Sequence, residues 1–172
     1  ILSASLTIKG IRDGKAVGLI ANDRQNTWIA PQHANYQSMK IMRSLALSEK
    51  GTLSLKELLR KSLGLFKQKA SLVIITPDVS MDWWGPLIAL KAKGLIPTIL
   101  IFDVGSYGAE GDTERVLSKL RDTNIPTYPI KSVMFKEQME IKEHPLWEWR
   151  VSGTGKAVPI KKPKDLSWKR LR

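Results

Sequence analysis

The sequence predicts an α/β fold built on a doubly wound, mostly parallel sheet with helices on both faces. Between residues 15 and 130, short apolar runs of strand character alternate with segments whose apolar residues repeat at helical spacing. The run "SLVIITP" (71–77) is continuously apolar, which is typical of a strand buried on both faces. After residue 132 the alternation stops. We therefore predict an α/β domain over residues 1–132 and an irregular C-terminal extension with a basic tail over residues 133–172.

Five strands follow from the apolar runs, which are bounded by glycine, proline or polar residues. The last run contains Pro126 and Pro129, which lack the N–H that a central strand needs, so we place it at an edge of the sheet. The predicted strands are 15–23, 26–31, 71–77, 96–104 and 125–130.

Four helices are predicted between these strands. In the first, Met39, Met42 and Leu45 recur at helical spacing. The second starts at Ser54 and Glu57, whose spacing is that of a capping box. The predicted helices are 35–48, a segment from Ser54 to Phe66, 83–93, and a segment from Asp112 to Asn124 that carries Val116, Leu117 and Leu120 at helical spacing.

The first ten residues, "ILSASLTIKG", fit two structures. Leu2, Leu6 and Ile8 alternate with polar residues, as in a strand, whereas Ile1 and Ile8 also share a helical face with Ile11. Periodicity alone slightly favours the strand.

Positive charge is concentrated at the C-terminus. The formal net charge is +12, and residues 156–172 contain seven Lys or Arg and one Asp. Such a tail can attract anionic lipid, nucleic acid or an acidic partner, although we do not expect nucleic acid to be the main ligand. The residues expected to act electrostatically are Lys161, Lys162, Lys164, Lys169, Arg170 and Arg172.

The composition excludes several kinds of chemistry. The chain has no cysteine, which excludes disulfides, thiolate catalysis and thiolate zinc sites. It also lacks the Gly-x-Ser-x-Gly, Gly-x-Gly-x-x-Gly and Walker patterns, so we predict a non-enzymatic protein. The alternative is an enzyme that contacts phosphate through the loop "DVGSYGAEGD" (103–112), but Asp103, Glu110 and Asp112 would repel an anion there.

Several segments, taken in order, resemble a known family. They are "SASLTIKGIRDGKAVGLIAND", "IMRSLALSEKGTLSLKELL", and "SLVIITPD" followed by "LIALKAKGLIPTILIFD". This order resembles the C-terminal part of the von Willebrand factor A-like domain in a bacterial and archaeal family called domain of unknown function fifty-eight. The resemblance implies a helix over residues 2–8. It also implies that the first central strand and its Asp-x-Ser-x-Ser metal motif would lie upstream of Ile1.

The resemblance implies candidate metal ligands. Thr52 in "GTLS" corresponds to the metal-binding threonine of such domains, and Asp78 lies near their aspartate. Asp78 and Ser80 in "DVSMD" also form part of a motif-like cluster, so Thr52, Asp78 and Ser80 are candidate ligands for Mg²⁺. In the alternative interpretation, which the sequence favours, Ser80 or Asp82 caps the helix that follows.

The resemblance also implies partners. Members are often encoded beside AAA-type ATPases, and the parent protein is anchored by N-terminal membrane helices, with this domain on the cytoplasmic side. We therefore expect a protein–protein interaction module, with Trp83 and Trp84 as candidate partner-binding residues or, alternatively, as packing residues. The competing hypotheses are a metal-dependent adhesion-type domain and electrostatic binding through the basic tail. We do not expect a small-molecule substrate.

Overall fold

The computed structural model describes residues 1–34, 36–66, 70–135, 148–151 and 157–161. The chain divides into two compact units, Ile1–Ile130 and Lys131–Arg172. The division falls close to the predicted boundary after residue 132.

The first unit contains five α-helices, one short 3-10 helix (Val104–Tyr107) and five strands within its described residues. Residues 2–8 lie in a helix, as the family resemblance implied, and the strand that periodicity alone favoured is wrong. The elements are α1 (Leu2–Arg12), β1 (Val17–Ile20), β2 (Trp28–Gln32), α2 (Gln37–Ala46), α3 (Leu55–Ser62), β3 (Ser71–Thr76), α4 (Trp84–Ala92), β4 (Ile96–Phe102), α5 (Thr113–Arg121) and β5 (Thr127–Ile130).

The second unit contains a two-stranded antiparallel hairpin of β6 (Glu148–Val151) and β7 (Ala157–Lys161). The extension was predicted to be irregular, and for these two segments that prediction is wrong. The sequences "EWRV" and "AVPIK" are short and the second contains a proline, so neither is a clear strand signal.

The strands of the first unit form two separate sheets. β3, β4 and β5 form a parallel sheet in the order β3-β4-β5, and β1 pairs with β2 in an antiparallel hairpin. A parallel sheet was therefore predicted correctly, but β1 and β2 do not pair with it within the described residues. The predicted edge position of the last strand is confirmed for the described sheet, because β5 pairs with β4 alone.

One face of the parallel sheet carries the hydrophobic core. Ile74 on β3 and Ile99 and Ile101 on β4 pack in one cluster with side chains from α3, α4 and α5. Val116 and Leu120 of α5 are fully buried there, as their helical spacing predicted. The cluster consists of Leu59, Ile74, Trp83, Leu87, Leu90, Leu95, Ile99, Ile101, Val116, Leu120 and Ile125.

The opposite face of the parallel sheet is largely open in the described residues. The register aligns Ser71 with Ile96, Val73 with Thr98, and Ile75 with Leu100 and Tyr128, so these side chains share a face. Ile96, Tyr128 and Val73 are 62%, 55% and 43% exposed. The prediction that β3 is buried on both faces is therefore wrong. We call this surface the open face; its apolar members are Val73, Ile75, Ile96, Leu100, Phe102 and Tyr128.

The buried face of helix α2 is shifted from the predicted one, whose Met42 and Leu45 are only half-buried. Its buried residues are Gln37 and Ile41, one turn apart, whereas Met39 is 75% exposed. The prediction used the spacing of apolar residues, mainly methionines. Gln37 is polar, so a pattern of apolar residues cannot show that it is buried. Helices α1 and α2 pack on each other and on β1, so the hairpin has its own helical layer.

Candidate functional site

The polar segment after β3 is organised by three consecutive turns. The Thr76 hydroxyl accepts a hydrogen bond from the Asp78 backbone N–H (3.0 Å), and the Asp78 carboxylate accepts one from the Ser80 N–H (2.8 Å). The Ser80 hydroxyl in turn accepts a longer bond from the Asp82 N–H (3.4 Å). Each side chain thus binds the backbone two residues ahead, which is the geometry of Asx and Ser/Thr turns.

The capping role predicted for Ser80 or Asp82 is wrong. Helix α4 begins at Trp84, and no side chain caps it within the described residues. The chain instead reverses at Met81, whose φ of 64° lies in the left-handed region, and the Trp84 N–H donates to the Met81 carbonyl at 3.1 Å. The oxygens of Asp78 and Ser80 stabilise the approach to the helix rather than its first turn.

The two adjacent tryptophans have different environments. Trp83 has no exposed surface, and its indole N–H donates to the Asp78 carbonyl at 3.2 Å. It therefore offers no side-chain surface to a partner in this structure, and the packing alternative describes its position. Trp84 is half-buried beside an open groove of about 450 Å³, which is lined by Met81, Trp84, Lys119, Asp122 and Thr123.

Thr52 is exposed, and the loop that contains it is held by a residue that the sequence did not single out. Asn22, just after β1, donates from its amide to the Leu53 carbonyl (2.5 Å) and accepts from the Leu53 N–H (3.2 Å). The Gly51 N–H also donates to the Asn22 carbonyl at 3.2 Å, and a Cβ on Gly51 would overlap Asn22. A short polar side chain directly after a strand was the available signal for this role.

The three candidate metal ligands lie in two loops of the described structure. Thr52 precedes α3, whereas Asp78 and Ser80 follow β3. No hydrogen bond joins Thr52 to Asp78 or Ser80 in the described residues, and each of the latter two already binds backbone. Within the described ranges, no three histidine, aspartate or glutamate side chains are arranged to hold a metal ion. Mg²⁺ needs several oxygen ligands around one point, so the metal role of these three residues stays a prediction.

Negative charge nevertheless dominates the sequence around the carboxyl ends of β3 and β4. From Ala70 to Leu90 the charged residues are Asp78 and Asp82, and from Gly94 to Glu114 all the charged residues are acidic. These segments stand out in a chain of net charge +12. The chain thus separates an acidic region at the strand ends from its basic remainder.

A second polar cluster closes the β1–β2 turn. The Asp23 carboxylate accepts hydrogen bonds from the Thr27 hydroxyl (2.6 Å) and from the backbone N–H groups of Thr27 (2.9 Å) and Gln25 (3.1 Å). These bonds, with that of the Thr27 hydroxyl the largest, favour the ionised form and hold the pKa of Asp23 below its ordinary value. The cluster fixes the hairpin turn.

Of the basic residues expected to act electrostatically, only Lys161 lies within the described residues. It is the last residue of β7 and pairs with Glu148 in the hairpin register. Lys162, Lys164, Lys169, Arg170 and Arg172 lie outside the described residues.

Comparison with protein-family models, with curated proteins and with solved structures finds no match to this chain. The von Willebrand A-like resemblance therefore stays a prediction. In the part of the chain that the structure describes, no helix has both the length and the apolar composition needed to cross a bilayer.

Proposed function

We propose that this protein is a non-enzymatic protein–protein interaction module and that its first unit contacts the partner through the open face of the parallel sheet. The observation that carries this proposal is the exposure of Val73, Ile96 and Tyr128 on a sheet whose other face carries the hydrophobic core. Contiguous apolar surface of this kind is characteristic of interaction sites. Tyr128 adds an aromatic ring with a polar tip, which is a residue type enriched at interfaces.

The proposed partner is apolar where it meets the open face and basic where it approaches the carboxyl ends of the strands. Asp78 and Asp82 lie beyond β3 and Asp103 directly follows β4, so they can form a negatively charged rim. An AAA-type ATPase as the partner, and a membrane-anchored parent with this domain on the cytoplasmic side, rest on the family resemblance alone. A metal-dependent mode would use Thr52, Asp78 and Ser80, but the turn bonds of Asp78 and Ser80 argue against it.

Site-specific photo-crosslinking tests the proposed surface. A photoreactive phenylalanine analogue replaces Tyr128 on the open face in one variant and Tyr36, which is 63% exposed near α2, in the control. We expect the Tyr128 variant to form a discrete adduct in native cells and the Tyr36 variant to form none. Mass spectrometry of the adduct then shows whether an ATPase is present. Equal labelling from both positions, or none from Tyr128, contradicts the proposal.

The charge of residues 156–172 favours a second candidate function, electrostatic attachment to anionic lipid or nucleic acid. The affinity of such binding should fall steeply as the salt concentration rises, because the binding releases counterions. Binding through the open face depends on the burial of apolar surface, so its affinity should change much less with salt. Measuring the affinity at increasing salt concentration therefore distinguishes the two functions.

A further inference from the structure

The β6–β7 hairpin of the second unit has two faces of different composition. Its antiparallel register pairs Trp149 with Pro159 and Val151 with Ala157. Residues directly opposite each other share a face of a sheet, as do alternate residues of one strand. These four residues therefore lie on one face, and none of them is charged. We call it the apolar hairpin face.

The charged residues of the two strands lie on the opposite face. Arg150 pairs with Val158, and Glu148 pairs with Lys161 beyond a shift in the register. Glu148 and Lys161 have opposite charges, which is a favourable combination for residues opposite each other in a sheet. The hairpin is therefore amphipathic, with its charges on one face and apolar residues alone on the other.

A hairpin of two strands needs cover on one of its faces. Two strands alone bury little apolar surface, so an isolated hairpin is marginally stable in water. Covering the charged face would remove Glu148, Arg150 and Lys161 from water, which is costly. The apolar hairpin face is therefore the one suited to be covered.

The charge next to the hairpin indicates what covers this face. Lys156 immediately precedes β7, and Lys162 and Lys164 follow it, within a segment (156–172) of seven Lys or Arg and one Asp. Basic segments of this kind are attracted to anionic lipid headgroups. Nucleic acid attracts them too, but it has no hydrocarbon layer to receive aliphatic residues such as Val151 and Ala157.

The aromatic residue of the apolar hairpin face favours a bilayer as well. Tryptophan concentrates at the boundary between headgroups and acyl chains, because its ring is apolar and its N–H is polar. Trp149 is the tryptophan on this face. The sequence thus combines an apolar face, an interfacial aromatic residue and adjacent positive charge.

We propose that the apolar hairpin face inserts into the headgroup region of an anionic lipid bilayer, while the basic residues around β7 bind the headgroups. Apolar insertion and positive charge are separate attractions, and stable attachment through weak anchors needs two of them. Insertion of this kind rests on the electrostatic attachment described above as the second candidate function. It adds the class of ligand and an apolar contact that salt does not screen.

Single labelled thiols test the insertion and its face. The chain has no cysteine, so Val151→Cys and Val158→Cys each introduce one thiol, at valines on opposite faces of the hairpin. Each full-length variant receives an environment-sensitive nitrobenzoxadiazole label and is mixed with phosphatidylcholine vesicles, with or without phosphatidylglycerol. We expect the phosphatidylglycerol vesicles to raise the fluorescence of the Val151→Cys label at least about twofold more than that of the Val158→Cys label.

Val151→Asp and Val158→Asp test how much the apolar hairpin face contributes to affinity. Both variants add the same negative charge to the same hairpin, so they weaken the electrostatic attraction alike. Val151→Asp alone places a charge on the inserting face. We expect it to lower vesicle affinity at moderate salt at least about tenfold more than Val158→Asp does. Far-UV circular dichroism verifies that all the variants stay folded.

Four results would overturn the insertion. Equal responses of the two labels, or equal affinities of the two aspartate variants, would leave only electrostatic binding by the tail. A full chain that does not bind the anionic vesicles at low salt would reject the electrostatic attachment as well. A Val151→Cys thiol that does not react in the absence of vesicles would show that protein already covers this face. A Val151→Cys label that responds to duplex DNA and not to vesicles would assign the face to nucleic acid.

Discussion

The side chain of Gln37 is hydrogen-bonded to the backbone of Val17 across a bulge in the hairpin. Its amide nitrogen donates to the Val17 carbonyl at 2.8 Å and to the Ala30 carbonyl at 2.9 Å, and the residue is fully buried. The register shifts between Val17 and Leu19, where a Cβ on Gly18 would collide with Ile29 and Pro31. Because Pro31 has no N–H, the amide of Gln37 replaces a ladder bond that the bulge removes.

Replacing Gln37 with Leu should destabilise the first unit by about 1 kcal/mol, because the carbonyls of Val17 and Ala30 lose their donor while a buried Oε1 without a hydrogen-bond partner in the described residues is also removed. The control Gln32→Leu changes an exposed position of the same hairpin and should cost less than about 0.5 kcal/mol. Urea unfolding of both variants measures the difference. Similar stabilities for the two would show that the bulge does not depend on the amide.

Ser54→Ala should destabilise the protein by about 1 kcal/mol, because the capping box at α3 is fully formed. The Ser54 hydroxyl accepts from the Glu57 N–H at 3.2 Å, and the Glu57 carboxylate accepts from the Ser54 N–H at 2.8 Å. Thr52→Ala, in the preceding turn, is the matched control and should be nearly neutral. Thermal unfolding of the pair provides the measurement, and equal losses would mean that the box contributes nothing.

The stability contributed by Asp23 should depend on pH in a defined direction. Its pKa is lowered in the folded state, so the unfolded chain binds the proton first as pH falls. The stabilisation is complete above the unfolded pKa and is lost as pH drops through the folded pKa. Asp23→Asn should therefore be less stable than wild type by about 1 kcal/mol at neutral pH, with the gap closing below about pH 4.

The matched comparison is the same substitution in a Thr27→Val background. Without the Thr27 hydroxyl, whose bond to Asp23 is the largest cause of the lowered pKa, the gap at neutral pH should shrink. Denaturant titrations at several pH values measure both gaps. A gap that is constant with pH would contradict the assignment.

Asp78→Asn and Asp78→Ala distinguish a turn from a metal ligand. An asparagine oxygen can still accept the Ser80 N–H, so Asp78→Asn should keep wild-type stability while Asp78→Ala loses about 1 kcal/mol. Calorimetric titration with Mg²⁺ should give no saturable binding to the wild type. If the wild type shows saturable Mg²⁺ binding and both variants lose it, the metal hypothesis is supported.

Truncation after Gly155 tests the electrostatic function of the tail. We expect the full chain to bind anionic phospholipid vesicles at low salt and to lose roughly 10³-fold in affinity by moderate salt, because seven cations release counterions. The truncated chain should not bind the vesicles, yet it should retain crosslinking at Tyr128. Vesicle binding by the truncated chain would place the charge-dependent contact elsewhere.

Features that depend on residues close in sequence were predicted well, whereas features that depend on contacts between distant residues were not. The Ser54–Glu57 capping box and the Val116–Leu120 spacing depend on neighbours in sequence, and both are confirmed. The exposure of Val73 depends on what covers a sheet face, and an apolar run does not encode that. The capping prediction for Ser80 failed because a serine side chain can either cap a helix or bond to the backbone two residues ahead. The positive φ of Met81, which the sequence does not reveal, decides between the two.

Pro129 protects one edge of the parallel sheet from pairing. The Asp103 N–H donates to the Ile130 carbonyl at 3.0 Å, so Ile130 faces β4 and, by the alternation of a parallel ladder, Pro129 faces outward. Its pyrrolidine ring carries no N–H, so a further strand cannot complete a hydrogen-bond ladder along the outer side of β5.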